Sequence, residues 1–496
     1  MLEVNVSKDH TTEDNYSYLG LPLKKKLSLI NEIFRNSLPN IAAYATPHFA
    51  NLISVYFLSQ YNDDMVAGYG LGAVFTGAFV LALVFSFNQA GNVLMAQAFG
   101  AKNYKACGIY FQRSALLLVI ILSPLLISLF YADRIFIFFG IDENLAKLVL
   151  AFTKIMAPTM IGSSCFDLLK AFIISQKVFT PIIYIQGFAV ILHFLWAKLF
   201  IDWLQLGIEG AALCRLIGEW TSAIIMYIYI KKSDRFRDTW IPWSKEALDK
   251  DALIQQVKFS IPISAMTYIG WVYFEVMTII AGTYGSKQVV THVAVGNTSS
   301  LNYNMDMGIS TTIMTYVANS IGKQSVVEAK NYFYSGMSLL GMVTIVNFTL
   351  LQILKEPWIG VWTTDSQTAT YLFQVLTVYQ FTTLIADNVN NGLLGFLKAV
   401  GKQKVASLLV FVALYPLGIP LMILFTFILD YQVKGLWISF GIATVIQMFA
   451  TVFIVGRVDW KNIMAESKQR LADQEMKVIK SYTSFEDKKE GLLHDL

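Results

Sequence analysis

Long apolar stretches separated by short polar connections run through most of this chain of 496 residues. Spanning about 30 Å of hydrocarbon takes roughly 20 helical residues, and most of these stretches reach that length. The pattern predicts twelve transmembrane helices, six on each side of a charged central segment. Their predicted ranges are 32–59, 66–97, 109–131, 147–175, 181–201 and 207–230, then 256–283, 288–319, 329–353, 366–396, 403–428 and 433–456.

The same pattern divides the chain into five segments. A polar N-terminal tail covers 1–30 and a six-helix lobe covers 31–231. An inter-lobe loop at 232–255 leads to a second six-helix lobe at 256–456, and a charged C-terminal tail covers 457–496. The predicted fold is an all-α integral membrane protein.

Lysine and arginine are unevenly distributed over the predicted connections. They concentrate in the N-terminal tail, in the central loop and in the connections that follow even-numbered spans. The positive-inside rule therefore places both termini and the central loop in the cytoplasm. The residues are Lys24, Lys25, Lys26, Arg35, Lys102, Lys105, Lys177, Lys231, Lys232, Arg235, Arg237, Lys323, Lys330, Lys398, Lys402 and Lys404.

The two halves repeat each other. The segment after span 2 reads MAQAFGAKNYKA, and the segment after span 8 reads YVANSIGKQSVVEA. Because both halves begin on the cytoplasmic side, the repeats are parallel and related by a pseudo-two-fold axis along the membrane normal. The aligned pairs are Ala96 with Ala318, Gln97 with Asn319 and Gly100 with Gly322.

The composition of the chain excludes several classes of function for the protein. Apolar residues make up 55% of the chain and charged residues 15%, against about 25% charged residues in soluble domains. The net charge of +4 is small and says nothing about nucleic acid, and no nucleic-acid partner is expected. The three cysteines (Cys107, Cys165 and Cys214) lack metal-ligand spacing and are interpreted as free thiols. No histidine box or paired catalytic motif is visible, so we expect no enzyme, catalytic residue, metal site or cofactor.

One acid stands near the middle of span 7. A charge at the centre of a membrane helix costs roughly 2.5–3.5 kcal/mol, so Glu275 either marks a functional site, which we expect, or hydrogen-bonds a neighbouring helix. Trp271 and Tyr268 fall on the same helical face. A carboxylate beside two aromatic rings is suited to binding an organic cation.

Several motifs together resemble the multidrug and toxic compound extrusion (MATE) family, most closely its eukaryotic branch. The resemblance covers almost all of the predicted membrane part. The matching segments are AQAFGAKNYKACGIYFQR (96–113), SIPISAMTYIGWVYFE (260–275), VANSIGKQSVVEAK (317–330), DNVNNGLLGFLKAVGKQK (387–404), YPLGIP (415–420) and GLWISFGIATVIQ (435–447).

The resemblance implies a proton-coupled antiporter that exports organic, cationic and amphiphilic solutes or xenobiotics by rocking two lobes. It also implies that Glu275 and Asp387 bind substrate and protons in one cavity, with protons as the coupling ion. On the face of span 10 that carries Asp387, the polar residues Thr383 and Asn391 are candidate accessory residues.

The sequence departs from the family pattern in two places. Many prokaryotic members carry an aspartate in the first helix, where this chain has Ser54 nearby. In span 8 the family's usual proline before the glycine is replaced by Asp306 within NMDMG (304–308). A third acid could enlarge the site in the second lobe, with Asn297 and Asn304 as neighbours, or face a water-filled cleft without a specific role.

The remaining charged residues within spans favour structural roles. Arg215 and Glu219 are four residues apart on span 6, and Asp167 and Lys170 are three apart on span 4. These spacings predict ion pairs within one helix. Scattered single histidines are expected to be packed or hydrogen-bonded.

Alternatives to the proton-coupled exporter are a flippase for lipid-linked or oligosaccharide-linked substrates and a sodium-coupled exporter. A channel is disfavoured because no repeated pore loop is visible. The expected partners are organic solutes and the lipid bilayer. We expect a monomer in the plasma membrane or in a vacuolar or lysosomal membrane.

Overall fold

Long helices make up the computed structural model, which describes residues 18–61, 63–138, 140–470 and 472. In the first half, α1 is Leu23–Leu58, α2 is Asp63–Thr76 continued by Gly77–Leu81 and Ala82–Gly100, α3 is Tyr104–Leu129, α4 is Glu143–Ser175, α5 is Thr180–Ala197 continued by Lys198–Trp203, and α6 is Gly207–Lys232.

The second half repeats this arrangement of six helices. Here α7 is Lys250–Gly282, α8 is Ser286–Gly322, α9 is Val326–Trp362, α10 is Ser366–Phe381 followed by Thr383–Ala399, α11 is Gln403–Val412 continued by Ala413–Gly418, Ile419–Ile423 and Leu424–Ile428, and α12 is Gln432–Gly456. No strand occurs among the described residues. The prediction of an all-α fold with twelve long helices is confirmed.

Nine helices in the described part of the chain are long and apolar enough to cross a membrane: α2 to α7, α9, α11 and α12. Polar and charged side chains make α1 and α8 less apolar. A break at Thr382 divides α10 into segments of 16 and 17 residues. Helices α1 and α8, with 36 and 37 residues, are therefore long enough to span but less apolar, whereas α10 falls short in unbroken length.

The ends of the lobes differ from the predicted boundaries. Helix α1 begins at Leu23, inside the segment predicted as a tail, and α7 begins at Lys250, inside the predicted loop. Residues 460–470 are helical. They pack on the second lobe, where Lys402 Nζ lies 3.1 Å from Glu466 Oε1. The predictions for residues 1–17, 471 and 473–496 lie outside the described residues.

The internal repeat is also visible in the backbone conformation of the turns. A positive φ is uncommon for residues other than glycine, yet it recurs at matching turns of the two halves. The matching positions are Lys102 (59°) and Gln324 (60°), Lys177 (60°) and Gly401 (80°), Gln205 (53°) and Asp430 (52°), and Gly207 (54°) and Gln432 (50°). The repeat found in the sequence is thus a structural repeat.

Helices α1–α6 form the N-lobe and α7–α12 the C-lobe. One end of the bundle carries the turns that contain Lys102, Lys177, Lys323 and Lys402, and we call it the basic end. One apolar core combines residues of both lobes near this end, such as Phe172 with Met314, Val317 and Phe396, and extends through the C-lobe. A second core lies wholly within the N-lobe toward the opposite end, with members such as Phe57, Tyr69, Phe152 and Ile201.

The lobes meet most closely where α2 crosses α8 at the basic end. A Cβ added to Gly100 would lie 2.0 Å from the carbonyl oxygen of Asn319, and one added to Gly322 would lie 2.0 Å from that of Gln97. The two amide side chains make reciprocal bonds. Gln97 Nε2 donates to Ala399 O at 2.9 Å, and Asn319 Nδ2 donates to Ser175 O at 2.9 Å.

Further hydrogen bonds between the lobes lie near the middles of the helices or closer to the basic end. They are Asn36–Tyr316, Asn40–Thr312, Tyr44–Thr311, Asn92–Thr315, Gln89–Lys398 and Ser114–Gln256. The described structure is therefore closed at the basic end.

Candidate functional site

Two acids of the C-lobe lie close together although they are far apart in sequence. Asp306 of α8 is fully buried and Asp387 of α10 is half-buried, and the two carboxylates are near enough to interact directly. The two helices approach closely beside them. A Cβ added to Gly395 would lie 2.4 Å from Ser310 Oγ, and this hydroxyl donates to Asn391 O at 2.6 Å.

Amide groups of α10 surround Asp306. With its amide nitrogen oriented toward Asp306, Asn388 donates to both carboxylate oxygens, one at 3.3 Å. Its Oδ1 then accepts from Thr344 Oγ1 at 2.7 Å. The Asn391 side chain also bonds Asp306. These donors stabilise the position of Asp306 without neutralising its charge.

Two tyrosines complete this cluster. The hydroxyls of Tyr303 and Tyr379 lie close to both carboxylates. Asn302 Nδ2 donates to the Tyr379 hydroxyl at 3.1 Å. Neither tyrosine was predicted from the sequence. The spacing of three between Tyr303 and Asp306 was a usable signal, because it places both on one face of α8.

The aromatic face of α7 adjoins the cluster. Helix α7 is continuous, so Tyr268, Trp271 and Glu275 share one face as predicted. Trp271 is exposed on this face, and its indole bonds the Tyr303 hydroxyl. A Cβ added to Gly77 of α2 would lie 3.9 Å from the Trp271 ring. The aromatic face of α7 therefore points toward the N-lobe.

Glu275 stands apart from the pair of aspartates. It is half-buried, and within the described ranges it has no hydrogen-bond or ion-pair partner. The carboxylate that lies beside Asp387 is Asp306. Direct coupling between Glu275 and Asp387 stays a prediction.

Apart from Asp306, the candidate accessory residues separate into three groups. Asn391 lies beside Asp306. Asn297 and Asn304 donate to carbonyl oxygens of their own helix, both at 2.8 Å, and Asn297 is exposed. Thr383 is buried beside Gly441 of α12. Only Asn391 is thus placed to act with the acids.

The charges of the N-lobe are arranged differently. Asp167 pairs with Lys170, and Arg215 Nη2 lies 3.8 Å from Glu219 Oε1. Both predicted intrahelical ion pairs are confirmed. Asn51 Oδ1 accepts from Arg215 at 2.7 Å. The acids inside the N-lobe therefore have basic partners.

The other candidates in the N-lobe have structural partners. Ser54, near the position of the family's N-lobe aspartate, bonds His193 at 3.0 Å. Cys107, Cys165 and Cys214 are free thiols. Among the residues that the structure describes, no cluster of possible metal ligands occurs.

The lobes therefore differ in charge around their centres. Asp306, Asp387 and Glu275 have no basic partner among the residues that the structure describes, whereas Asp167 and Glu219 do. Unpaired acids beside exposed aromatic rings can attract a cation and exchange it for protons.

Comparison with known proteins identifies the class. The MatE family model matches residues 39–198 and 262–424, so the chain belongs to the MatE family of membrane transporters. Protein DETOXIFICATION 9 of Arabidopsis thaliana is 24% identical over 440 residues, covering 88% of this chain and 91% of that protein. Multidrug and toxin extrusion protein 1 of Homo sapiens is 26% identical over 448 residues, covering 88% and 77%.

Solved structures agree with this assignment at the level of the fold. The eukaryotic MATE transporter AtDTX14 superimposes with a TM-score of 0.84 at 20% identity, covering 90% of this chain and 99% of that one. The Vibrio cholerae MATE transporter VcmN in the bent form gives a TM-score of 0.77 at 12% identity, covering 90% and 99%. The resemblance to the MATE family found in the sequence is confirmed.

Proposed function

We propose that this protein exports organic, cationic and amphiphilic solutes in exchange for protons. The observation that carries the proposal is the pair Asp306 and Asp387, which lies in the C-lobe without a basic partner in the described part of the chain. Two adjacent carboxylates favour sharing a proton, because both being charged is electrostatically costly. A bound cation relieves that repulsion and releases the proton.

The aromatic face of α7 supplies the binding surface for the solute that is exchanged for protons. Trp271 and Tyr268 offer ring faces to an amphiphilic cation, and Glu275 offers a charge that no described residue neutralises. Protons arriving at the acids would displace the cation. Binding of solute and of protons is then mutually exclusive, as antiport requires.

We further propose that the basic end faces the cytoplasm and that the described state is open to the opposite side. The lysine-rich turns support this orientation. Export would require the lobes to rock until the basic end opens and the opposite end closes. The functional unit is proposed to be a monomer in the plasma membrane or in a vacuolar or lysosomal membrane.

The test is transport by purified protein in liposomes. A fluorescent organic cation should accumulate against an imposed proton gradient, and a sodium gradient alone should not drive it. Glu275→Gln and Asp387→Asn should each abolish gradient-driven accumulation, because the amide cannot carry a proton. Glu143→Gln, which changes an exposed acid at the start of α4, is the matched control and should keep activity.

Three results would reject the proposal. Accumulation driven by sodium alone would indicate a sodium-coupled exporter. Movement of lipid-linked substrates without organic-cation transport would indicate a flippase. Normal proton-driven accumulation by Asp387→Asn would remove the aspartate pair from the mechanism.

A further inference from the structure

A lysine of the N-lobe inserts into an aromatic cage on the C-lobe. The turn between α4 and α5 holds Lys177 in a left-handed conformation, with φ of 60°. Its Nζ lies 4.3 Å from the Tyr316 ring centroid and 5.0 Å from that of Tyr332. Glu328 Oε1 is 3.9 Å from the same nitrogen. Both ring distances are within the range of a cation–π contact.

The walls of the cage are firmly packed. Tyr316 of α8 and Tyr332 of α9 have ring centroids 4.5 Å apart, and both are buried. Asn36 Nδ2 donates to the Tyr316 hydroxyl at 2.6 Å, and Phe179 stacks on the Tyr316 ring. Because both tyrosines belong to the C-lobe, separation of the lobes would leave these two walls together.

The charges around the cage favour a cationic occupant. Glu32 contacts the two tyrosine hydroxyls, and Glu328 is shared between Lys177 and Lys323, the latter at 2.8 Å. Burial, with Lys323 nearby, lowers the pKa of Lys177 to about 8. Lys177 therefore remains mainly protonated at pH 7, and the cage holds an ammonium ion.

We propose that Tyr316, Tyr332 and Glu328 form a second binding site for organic ammonium ions, which Lys177 occupies as a tethered ligand while the basic end is closed. When the lobes separate there, Lys177 leaves with the N-lobe and the cage becomes available to a solute approaching from that side. Lys177 then competes with the solute for the cage when the lobes close again. This role in solute capture rests on the proposed function, whereas the binding chemistry of the cage does not.

The binding test uses purified full-length protein and tetramethylammonium, measured by isothermal titration calorimetry. Lys177→Ala should bind one more tetramethylammonium per chain than the wild type, because the tethered ligand is gone. Lys323→Ala, which removes a neighbouring lysine but leaves Lys177 in place, should match the wild type. Adding Tyr332→Leu to Lys177→Ala should remove the additional site.

A neutral compound of similar shape, 2,2-dimethylpropan-1-ol, has carbon in place of the nitrogen and a hydroxyl on one methyl group. It separates cation–π binding from simple cavity filling. It should not occupy the additional site. Equal stoichiometry in wild type and Lys177→Ala, an additional site that survives Tyr332→Leu, or equal binding of the neutral compound would each overturn the cage. Because the readout is the difference between variants, it holds even if the C-lobe acids bind no cation.

A transport measurement tests the role in capture. Tyr332→Leu should raise the KM for tetraethylammonium supplied at the basic end by roughly 2–30-fold, the range expected for a cation–π contact. The KM for the same ion supplied at the opposite end should not change. Equal effects at both ends, or no effect at either, would overturn the capture role.

Discussion

The crossing of α2 and α8 gives the most demanding prediction. Replacing Gly100 or Gly322 by alanine should prevent full closure of the basic end. Each added Cβ would lie 2.0 Å from a carbonyl oxygen of the other lobe, and contacts under 3.0 Å are essentially never seen. The obstacle is backbone on both sides, so no side-chain rotation relieves it. The helices must move apart by about 1 Å at the crossing.

The energetic effect follows from the bonds beside the crossing. The bonds from Gln97 to Ala399 and from Asn319 to Ser175 are both 2.9 Å long, and this displacement would break or strain both. A hydrogen bond contributes a net 0.5–1.5 kcal/mol or so, and a buried group left unsatisfied costs about 1–3 kcal/mol. Together the two bonds predict roughly 2–5 kcal/mol against the closed state. The ratio of closed to open molecules should therefore fall by at least roughly 30-fold.

The assay is distance measurement between spin labels in a background without native cysteines. Labels at Lys102 and Lys323 report on the basic end, and labels at Arg134 and Lys287 report on the opposite end. In Gly100→Ala the first distance should lengthen and the second should shorten. Gly341→Ala is the matched control, because a Cβ there meets no atom within 4 Å.

Two outcomes would contradict this reasoning. Distance distributions identical to the wild type in both Gly100→Ala and Gly322→Ala would mean that the crossing does not limit closure. Lengthening at both ends would indicate loss of the lobe interface rather than a rocking motion.

Two further predictions concern the site, and a third concerns an ion pair of the N-lobe. Trp271→Ala should raise the KM for an organic cation roughly 2–30-fold in liposome transport and leave proton coupling intact. An unchanged KM would exclude the Trp271 ring from solute binding. Asp306→Asn and Asp387→Asn should lose binding affinity non-additively, since they share one site; strictly additive losses would separate them. Arg215→Met should destabilise the fold by about 3–5 kcal/mol, measured by thermal unfolding, because Glu219 is left without its partner. The double variant Arg215→Met/Glu219→Gln should recover most of the stability, and no recovery would contradict the pairing.

The helical framework was predictable because the bilayer imposes a length on each span and the charge bias orders the connections. Helix α8 is instructive, since its polar side chains keep it below the apolar threshold that nine other helices pass. The sequence nevertheless predicted a span at 288–319, as one of the twelve long stretches between polar connections. The break at Thr382 was not predicted, because nothing in the local sequence excludes a continuous helix.

The composition of the site was less predictable. Glu275 and Asp387 were paired through the family resemblance, yet the structure places Asp306 beside Asp387. That contact depends on the close approach of α8 and α10 at Gly395, a tertiary feature that neither helix specifies alone. The location of Asn297 was within reach of sequence reasoning. It is nine residues from Asp306, and at 100° per residue that spacing places the two side chains on opposite faces of α8.

The internal repeat and the unpaired acids lie in different parts of the protein, and this separation bears on the mechanism. Most of the features that recur in both halves lie at the basic end: the left-handed turns at Lys102 and Gln324 and at Lys177 and Gly401, the reciprocal amides Gln97 and Asn319, and the glycines at the crossing. The buried charges do not recur, since the N-lobe acids are paired and those of the C-lobe are not. A symmetric interface suits a rigid-body motion of two similar lobes, because equivalent contacts form and break on both sides of the axis. Proton and solute chemistry needs only one set of unpaired acids, and the C-lobe provides it. Mutations at the repeated positions should therefore change the balance between conformations, and mutations in the C-lobe cluster should change affinity and coupling.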